Sequence, residues 1–151
     1  MPDKKLLENG IAIALDKLYS NDQYLINQFN QSEKDHVSER SIVFRFGIYF
    51  NEYCIKNFSK YNLDVEYNRN CNDVKRLSDG EAVIPDIILH KRGNNSNNLL
   101  VLEFKTWWNS DQTKDKIKIK NFRDEKNGYN YQYGAVILIG KTRDEVKIEW
   151  I

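Results

Sequence analysis

The chain has 151 residues, of which 40% are hydrophobic, and this length and composition suit the core of one domain. Its 23 basic and 22 acidic side chains give a formal net charge of +1, which excludes a polycation that coats nucleic acid or anionic membranes through overall charge. The sequence contains no apolar run of membrane-spanning length and no signal-peptide pattern, so we expect a cytoplasmic protein that does not associate with membranes.

The N-terminal part of the chain has a helical pattern. Apolar residues in 4–30 recur at spacings of three and four, which predicts one or two amphipathic helices with a break near YSND at 19–22. We interpret 1–31 as a helical extension of a core that covers 33–140. A further helix is predicted over 32–58, since SEKD is a typical helix start and Val43, Phe46, Phe50 and Cys54 follow with helical spacing.

Strand-like segments dominate the rest of the chain. The segments at 63–69, 82–90 and 98–108 are rich in branched and aromatic residues, and RGNNSNN between the last two predicts a hairpin loop.

The lysine-rich stretch at 111–126 is expected to be helical, although the alternation in KIKIK also permits a strand. YGAVILIG then predicts a buried strand, and the alternation in EVKIEWI predicts an edge strand. The predicted fold class is therefore α/β in the α+β sense, with a mixed central sheet flanked by helices.

The predicted hairpin contains three charged residues in otherwise apolar strands. If the hairpin is centred at 95–96, Asp86 lies opposite the segment from Glu103 to Lys105. Glu103 and Lys105 are two residues apart and so share one face of their strand, while Leu102 and Phe104 point to the other face.

Two carboxylates placed close together repel each other unless a cation lies between them. A site made only of oxygen ligands suits Mg²⁺, with Mn²⁺ as a substitute, and a neighbouring lysine can neutralise a phosphate oxygen or position a water molecule. The alternative is a structural salt bridge, which would leave one of the two carboxylates without a partner.

Pro85, Asp86, Glu103 and Lys105 together resemble the signature of the PD-(D/E)XK nuclease superfamily, in which Pro-Asp begins one strand and Glu-X-Lys lies on the next. The segments EYNRN, PDIILHKRG and NNLLVLEFK are similar to small bacterial members of that superfamily. The resemblance implies a restriction-endonuclease-like αβββαβ core and Mg²⁺-dependent cleavage of DNA. It also implies that an acid on the first core helix joins the metal site, and Glu39 fits that position.

Four further residues are predicted to contact substrate. Lys116 and Lys120 would lie one turn apart on a helix and could meet a nucleic-acid backbone, although a solvated helix face fits them nearly as well. Arg69 lies at a strand end, where it could contact a phosphate or lock the neighbouring loop. His90 shares the face of Asp86 by parity, and ordinary contacts at a strand end are the alternative for it.

The sequence thus predicts a metal-dependent phosphodiesterase that hydrolyses DNA as an endonuclease rather than as an exonuclease. Cleavage is expected to be weakly sequence-specific, specific for DNA structure, or directed by a partner protein. The resemblance also implies a possible homodimer that cuts both strands. Two alternatives are a catalytically silent module of the same fold that binds nucleic acid or a protein, and an immunity-type or antitoxin-like interaction protein.

Overall fold

A computed structural model of the protein describes residues 2–27 and 36–151. Its main feature is a five-stranded mixed sheet with helices on both faces. The helices are α1 (Lys4–Asn21), α2 (Gln23–Ile26), α3 (Glu39–Asn57) and α4 (Thr113–Arg123). The strands are β1 (Asn62–Val65), β2 (Arg69–Asn70), β3 (Asp73–Val74), β4 (Ile87–His90), β5 (Leu100–Thr106), β6 (Tyr133–Ile139) and β7 (Lys147–Trp150).

The strand order in the main sheet is β1-β4-β5-β6-β7, and β2 pairs with β3 in a separate two-stranded ribbon. Among the described residues, only the β5–β6 pair of the main sheet is parallel, and α4 makes the crossover connection that parallel neighbours require. Because β5 is central and its neighbours lie on both sides, side chains on β5 are held between two layers of helix.

The two faces of the sheet pack against different helices. On one face, alternate residues of β4, β5 and β6 join α1 and α3 in a buried cluster that includes Leu89, Leu102 and Phe104. On the other face, Val101 and Val136 pack against Ile119 and Phe122 of α4. The period of two along β5 therefore separates Leu102 and Phe104 from Glu103 and Lys105, as predicted.

The N-terminal helix α1 belongs to the same core as the sheet. Its side chains at Leu7, Ile11, Ala14, Leu15 and Leu18 are fully buried. The predicted break near 19–22 is confirmed, since α1 ends at Asn21 and α2 begins at Gln23. No helix within the described ranges combines the length and the apolar character that crossing a membrane requires.

Several predicted boundaries are wrong for identifiable reasons. The helix predicted over 32–58 begins at Glu39, whereas SEKD lies outside the described residues. The strand predicted over 63–69 ends at Val65, because Glu66 has a φ of +53°, which a strand does not allow. The strand predicted over 82–90 begins only at Ile87, after Pro85, whose ring nitrogen has no hydrogen to donate to a ladder.

The predicted hairpin, the helix within 111–126, the buried strand and the edge strand are all confirmed. The ribbon formed by β2 and β3 was not predicted, since two-residue strands leave no alternation in the sequence.

Candidate active site

The β4–β5 hairpin brings Asp86 beside Glu103. Ile87 pairs with Leu102, so continuing the antiparallel register by one residue places Asp86 opposite Glu103. The ladder between the strands stops at this point, and the backbone N–H of Phe104 donates instead to Asp86 Oδ2 at 2.7 Å. The Pro-Asp pair therefore limits the strand pairing and also fixes a carboxylate immediately before the first residue of β4.

Helix α4 covers Glu103 and Lys105 and adds an acid and a base to them. Lys118 Nζ donates to Glu103 Oε2 at 2.6 Å, and Lys105 Nζ lies 3.4 Å from Asp115 Oδ2. Glu103 is 1% exposed, whereas Lys105 and Lys118 each leave a fifth of the side chain exposed. Both lysines can therefore reach a molecule at the surface, while the carboxylate of Glu103 lies beneath it.

The first residue of α3 supplies a further carboxylate. Glu39 and Asp86 line the same cavity, which has a volume of about 220 Å³. Four acids and two lysines thus form one cluster, which we call the carboxylate cluster: Glu39, Asp86, Glu103, Asp115, Lys105 and Lys118. Comparison of the chain with protein-family models, curated proteins and solved structures finds no match.

Burial and mutual repulsion disfavour the ionised acids. Burial raises the pKa of Glu103 well above its usual value, and the negative charge of Asp86 raises it further, although Lys118 opposes both effects. Burial also raises the pKa of Asp86 and of Glu39. Burial would lower the pKa of Lys105, but the surrounding carboxylates outweigh it and hold that pKa above its usual value. Lys105 is therefore a cation at neutral pH and is not a proton acceptor.

The donor atoms of the cluster are suited to a hard divalent cation. Glu39 Oε2 and Glu103 Oε1 are buried and accept no hydrogen bond from the described residues, so each retains lone pairs that an ion could use. Carboxylate oxygens are the ligands that Mg²⁺ and Mn²⁺ prefer. Across residues 2–27 and 36–151, however, no three His, Cys, Asp or Glu side chains stand close enough together to hold a metal ion as placed. The chemistry of the donors fits the ion, and their side chains would have to move together to bind it.

The predicted substrate-binding residues lie outside the carboxylate cluster. Lys116 points toward β7, where its Nζ lies 2.7 Å from Glu149 Oε2, and Lys120 is exposed on the same helix. Arg69 is exposed on the β2–β3 ribbon, and its backbone carbonyl accepts a hydrogen bond from Lys75 Nζ.

His90 forms a separate polar group. It shares the face of Asp86, but it is four residues along the strand, roughly 13 Å away. Its side chain is buried, with Nε2 2.8 Å from Asp64 Oδ2, and Asp64 also accepts from Arg92. Burial would raise the pKa of Asp64, but these two donors outweigh it and hold that pKa well below its usual range.

Lys118 is the functional candidate that the sequence did not reveal. Lys116 and Lys120 stood out because they are one turn apart, whereas Lys118 lies between them on another face of the helix. Lys118 is next to Ile119, which packs onto the sheet, and this adjacency in the sequence could have indicated its position. Residues beside the buried face of an amphipathic helix lie close to the sheet that the helix covers, which here includes β5. Trp107 and Trp108 pack against the core, and the ring of His36 stacks on Trp108 with 4.2 Å between centroids.

Proposed function

We propose that the protein is a divalent-metal-dependent nuclease that hydrolyses phosphodiester bonds in DNA, built on a restriction-endonuclease-like core. From α3 to β6, the α-helices and the strands of the main sheet run in the order α3, β1, β4, β5, α4, β6. This order supports such a core, because it follows the αβββαβ order that the resemblance implies. The parallel β5–β6 pair with its α4 crossover lies next to the hairpin that carries Asp86 and Glu103.

The observation that carries the proposal is the surplus of acid around Glu103. A carboxylate that is 1% exposed stands opposite a second carboxylate, and one of its oxygens has no hydrogen-bond partner among the described residues. Keeping such a group ionised costs several kcal/mol unless a cation compensates it. A structural salt bridge would need only one acid for each lysine, whereas the carboxylate cluster contains four acids and two lysines.

The residues divide the chemistry between them. Asp86 and Glu103, with Glu39 beside them, would hold Mg²⁺, which when bound polarises the phosphate and makes water a better nucleophile. Lys105 is positioned by Asp115 and remains charged, so it offsets the negative charge that develops on the phosphate oxygens during attack. The burial of Glu103 excludes bulk water from one side of the site and strengthens these interactions.

Nuclease assays with matched variants test the proposal. Purified protein is incubated with supercoiled plasmid, linear duplex, single-stranded DNA, branched DNA and RNA, each with Mg²⁺, Mn²⁺ or EDTA. Cleavage is expected only with metal, and Asp86→Asn, Glu103→Gln and Lys105→Met should each abolish it. The exposed residues Asp144 and Lys147 provide the controls Asp144→Asn and Lys147→Met, which should cleave normally. A folded wild-type protein that neither cleaves any substrate nor binds Mn²⁺ would refute the proposal.

A catalytically silent module that binds nucleic acid is the second candidate. The 2.6 Å contact between Lys118 Nζ and Glu103 Oε2 favours it, because a lysine already neutralises one oxygen that a metal would use. Such a module would bind DNA equally well in EDTA and in Mg²⁺ and would leave it uncut. Equilibrium binding measured beside the cleavage assay separates the two functions.

A further inference from the structure

The cavity beside Asp86 combines apolar walls with an aromatic ring. Val43 and Val65 form its apolar walls, and Phe44 adds an aromatic ring whose residue is 57% exposed. Its volume of about 220 Å³ is below the roughly 300–1,000 Å³ that drug-sized ligands occupy. The exposed ring of Phe44 and the part-buried carboxylate of Asp86 therefore line one cavity.

The rim of the cavity carries charged side chains. Arg40 Nε lies 3.0 Å from Glu66 Oε1, and the Arg40 side chain is 82% exposed, so its guanidinium can also reach a phosphate. Glu66 adopts a φ of +53°, a strained conformation for a residue with a side chain. This conformation ends β1 at Val65, and both Val65 and Glu66 line the cavity.

We propose that this cavity binds one unstacked nucleobase of a nucleic-acid strand, with Phe44 as the stacking surface. The assignment rests on the proposed function, since Asp86 lines the same cavity and the base would belong to a nucleotide next to the phosphate under attack. Arg40 holds the backbone phosphate of that nucleotide. Single-stranded or locally unpaired DNA is therefore the preferred substrate, because a base inside an intact duplex must first be unstacked at a cost in free energy.

A second cavity, of about 470 Å³, lies on the far side of Lys118 between α4 and the segment 77–84. Its large exposed apolar side chains are Ile84 and Ile117, and none of its lining residues in the described part of the chain is aromatic. Stacking on a ring makes base binding tolerant of sequence, so of the two cavities beside the carboxylate cluster the one at Phe44 is assigned to a base.

The test compares two single-stranded probes that carry the same phosphates, a short oligothymidylate and an abasic oligonucleotide of equal length. Binding is measured by fluorescence anisotropy in EDTA, so that no cleavage occurs. Phe44→Ala should weaken oligothymidylate binding roughly 5- to 150-fold and leave abasic binding unchanged, because it removes a stacking surface but no charge. Phe44→Trp should restore the affinity.

Two matched variants separate stacking from other effects. Ile55→Ala removes an equally exposed apolar side chain from the same helix, away from the cavity, and should bind both probes like the wild type. Arg40→Met should weaken both probes and reduce the salt dependence of binding, because it removes a phosphate contact.

If the wild type cleaves DNA and Phe44→Ala binds oligothymidylate as tightly as the wild type does, the base pocket is refuted and the nuclease proposal stands. A wild-type protein that neither binds nor cleaves any probe would overturn both proposals.

Discussion

Replacing Lys118 with methionine should destabilise the metal-free protein and make its stability depend on divalent metal. Lys118 Nζ lies 2.6 Å from Glu103 Oε2, and the Glu103 side chain is 1% exposed. Methionine retains the length and apolar character of the lysine stem and removes only the charge, so the packing of α4 on β5 is preserved.

The expected loss follows from the burial of the pair. Removing one partner of a fully buried ion pair costs about 3–5 kcal/mol. Because a fifth of the Lys118 side chain is exposed and Glu103 can take up a proton instead, we expect about 2–3 kcal/mol for Lys118→Met. For a chain of this length that loss corresponds to a fall in Tm of roughly 5–10 °C.

The pH dependence has a definite sign. A carboxyl group whose pKa is raised by folding destabilises the folded state as pH rises from its unfolded pKa, 4.5 for glutamate, toward its folded pKa. Removing Lys118 raises the folded pKa of Glu103 further, since the lysine opposes burial. The difference between the variant and the wild type should therefore be largest at pH 8 and should shrink toward pH 5.

Thermal unfolding at pH 5 and pH 8, in EDTA and in Mg²⁺, measures each of these effects. Mg²⁺ should stabilise Lys118→Met more than the wild type, because the ion no longer competes with an ammonium group for Glu103. Lys120→Met, an exposed lysine on the same helix, should leave Tm within about a degree of the wild type. If Lys118→Met is as stable as the wild type at pH 8 in EDTA, the ion pair does not compensate Glu103 and this account of the site is refuted.

Three further predictions concern stability elsewhere. Burial lowers the pKa of Lys75 from 10.5 to about 8, which costs the folded protein about 3 kcal/mol at pH 7. Because Lys75→Met removes this cost and loses one hydrogen bond, its free energy of unfolding, measured by urea denaturation, should rise by about 1 kcal/mol at pH 7 and should not rise at pH 10.5. Asp64→Asn should lower the free energy of unfolding by about 2 kcal/mol at pH 7, because the depressed pKa of Asp64 stabilises the folded state above pH 4. If urea denaturation at pH 2 shows the same loss as at pH 7, the loss does not come from the ionised carboxylate. Gly134→Ala should lower the free energy of unfolding, measured by thermal denaturation, by about 2 kcal/mol, because the new Cβ would lie 2.3 Å from Ile119 Cγ2. The double variant with Ile119→Ala should lose less than the sum of the two single losses, because the second change removes the clash.

The pairing of Asp86 with Glu103 could be predicted because it is a local matter. Two strands joined by a short polar loop have few possible registers, and a period of two decides which residues share a face. The same reasoning correctly separated Leu102 and Phe104 from Glu103 and Lys105. Strand ends were predicted less well, because they depend on the backbone conformation of single residues. Glu66 has a positive φ that nothing in the surrounding sequence indicates.

The sequence by itself determined the hairpin, its acids and its lysine, since these follow from spacing along neighbouring segments. The tertiary structure alone decided that Lys118 completes the carboxylate cluster. Helix α4 could present any of its lysines to the sheet, and its rotation is set by how Ile119 and Phe122 pack against Val101 and Val136. That packing brings Asp115 and Lys118 to β5 and turns Lys116 toward β7, because the burial of apolar side chains outweighs the small energy of any surface charge.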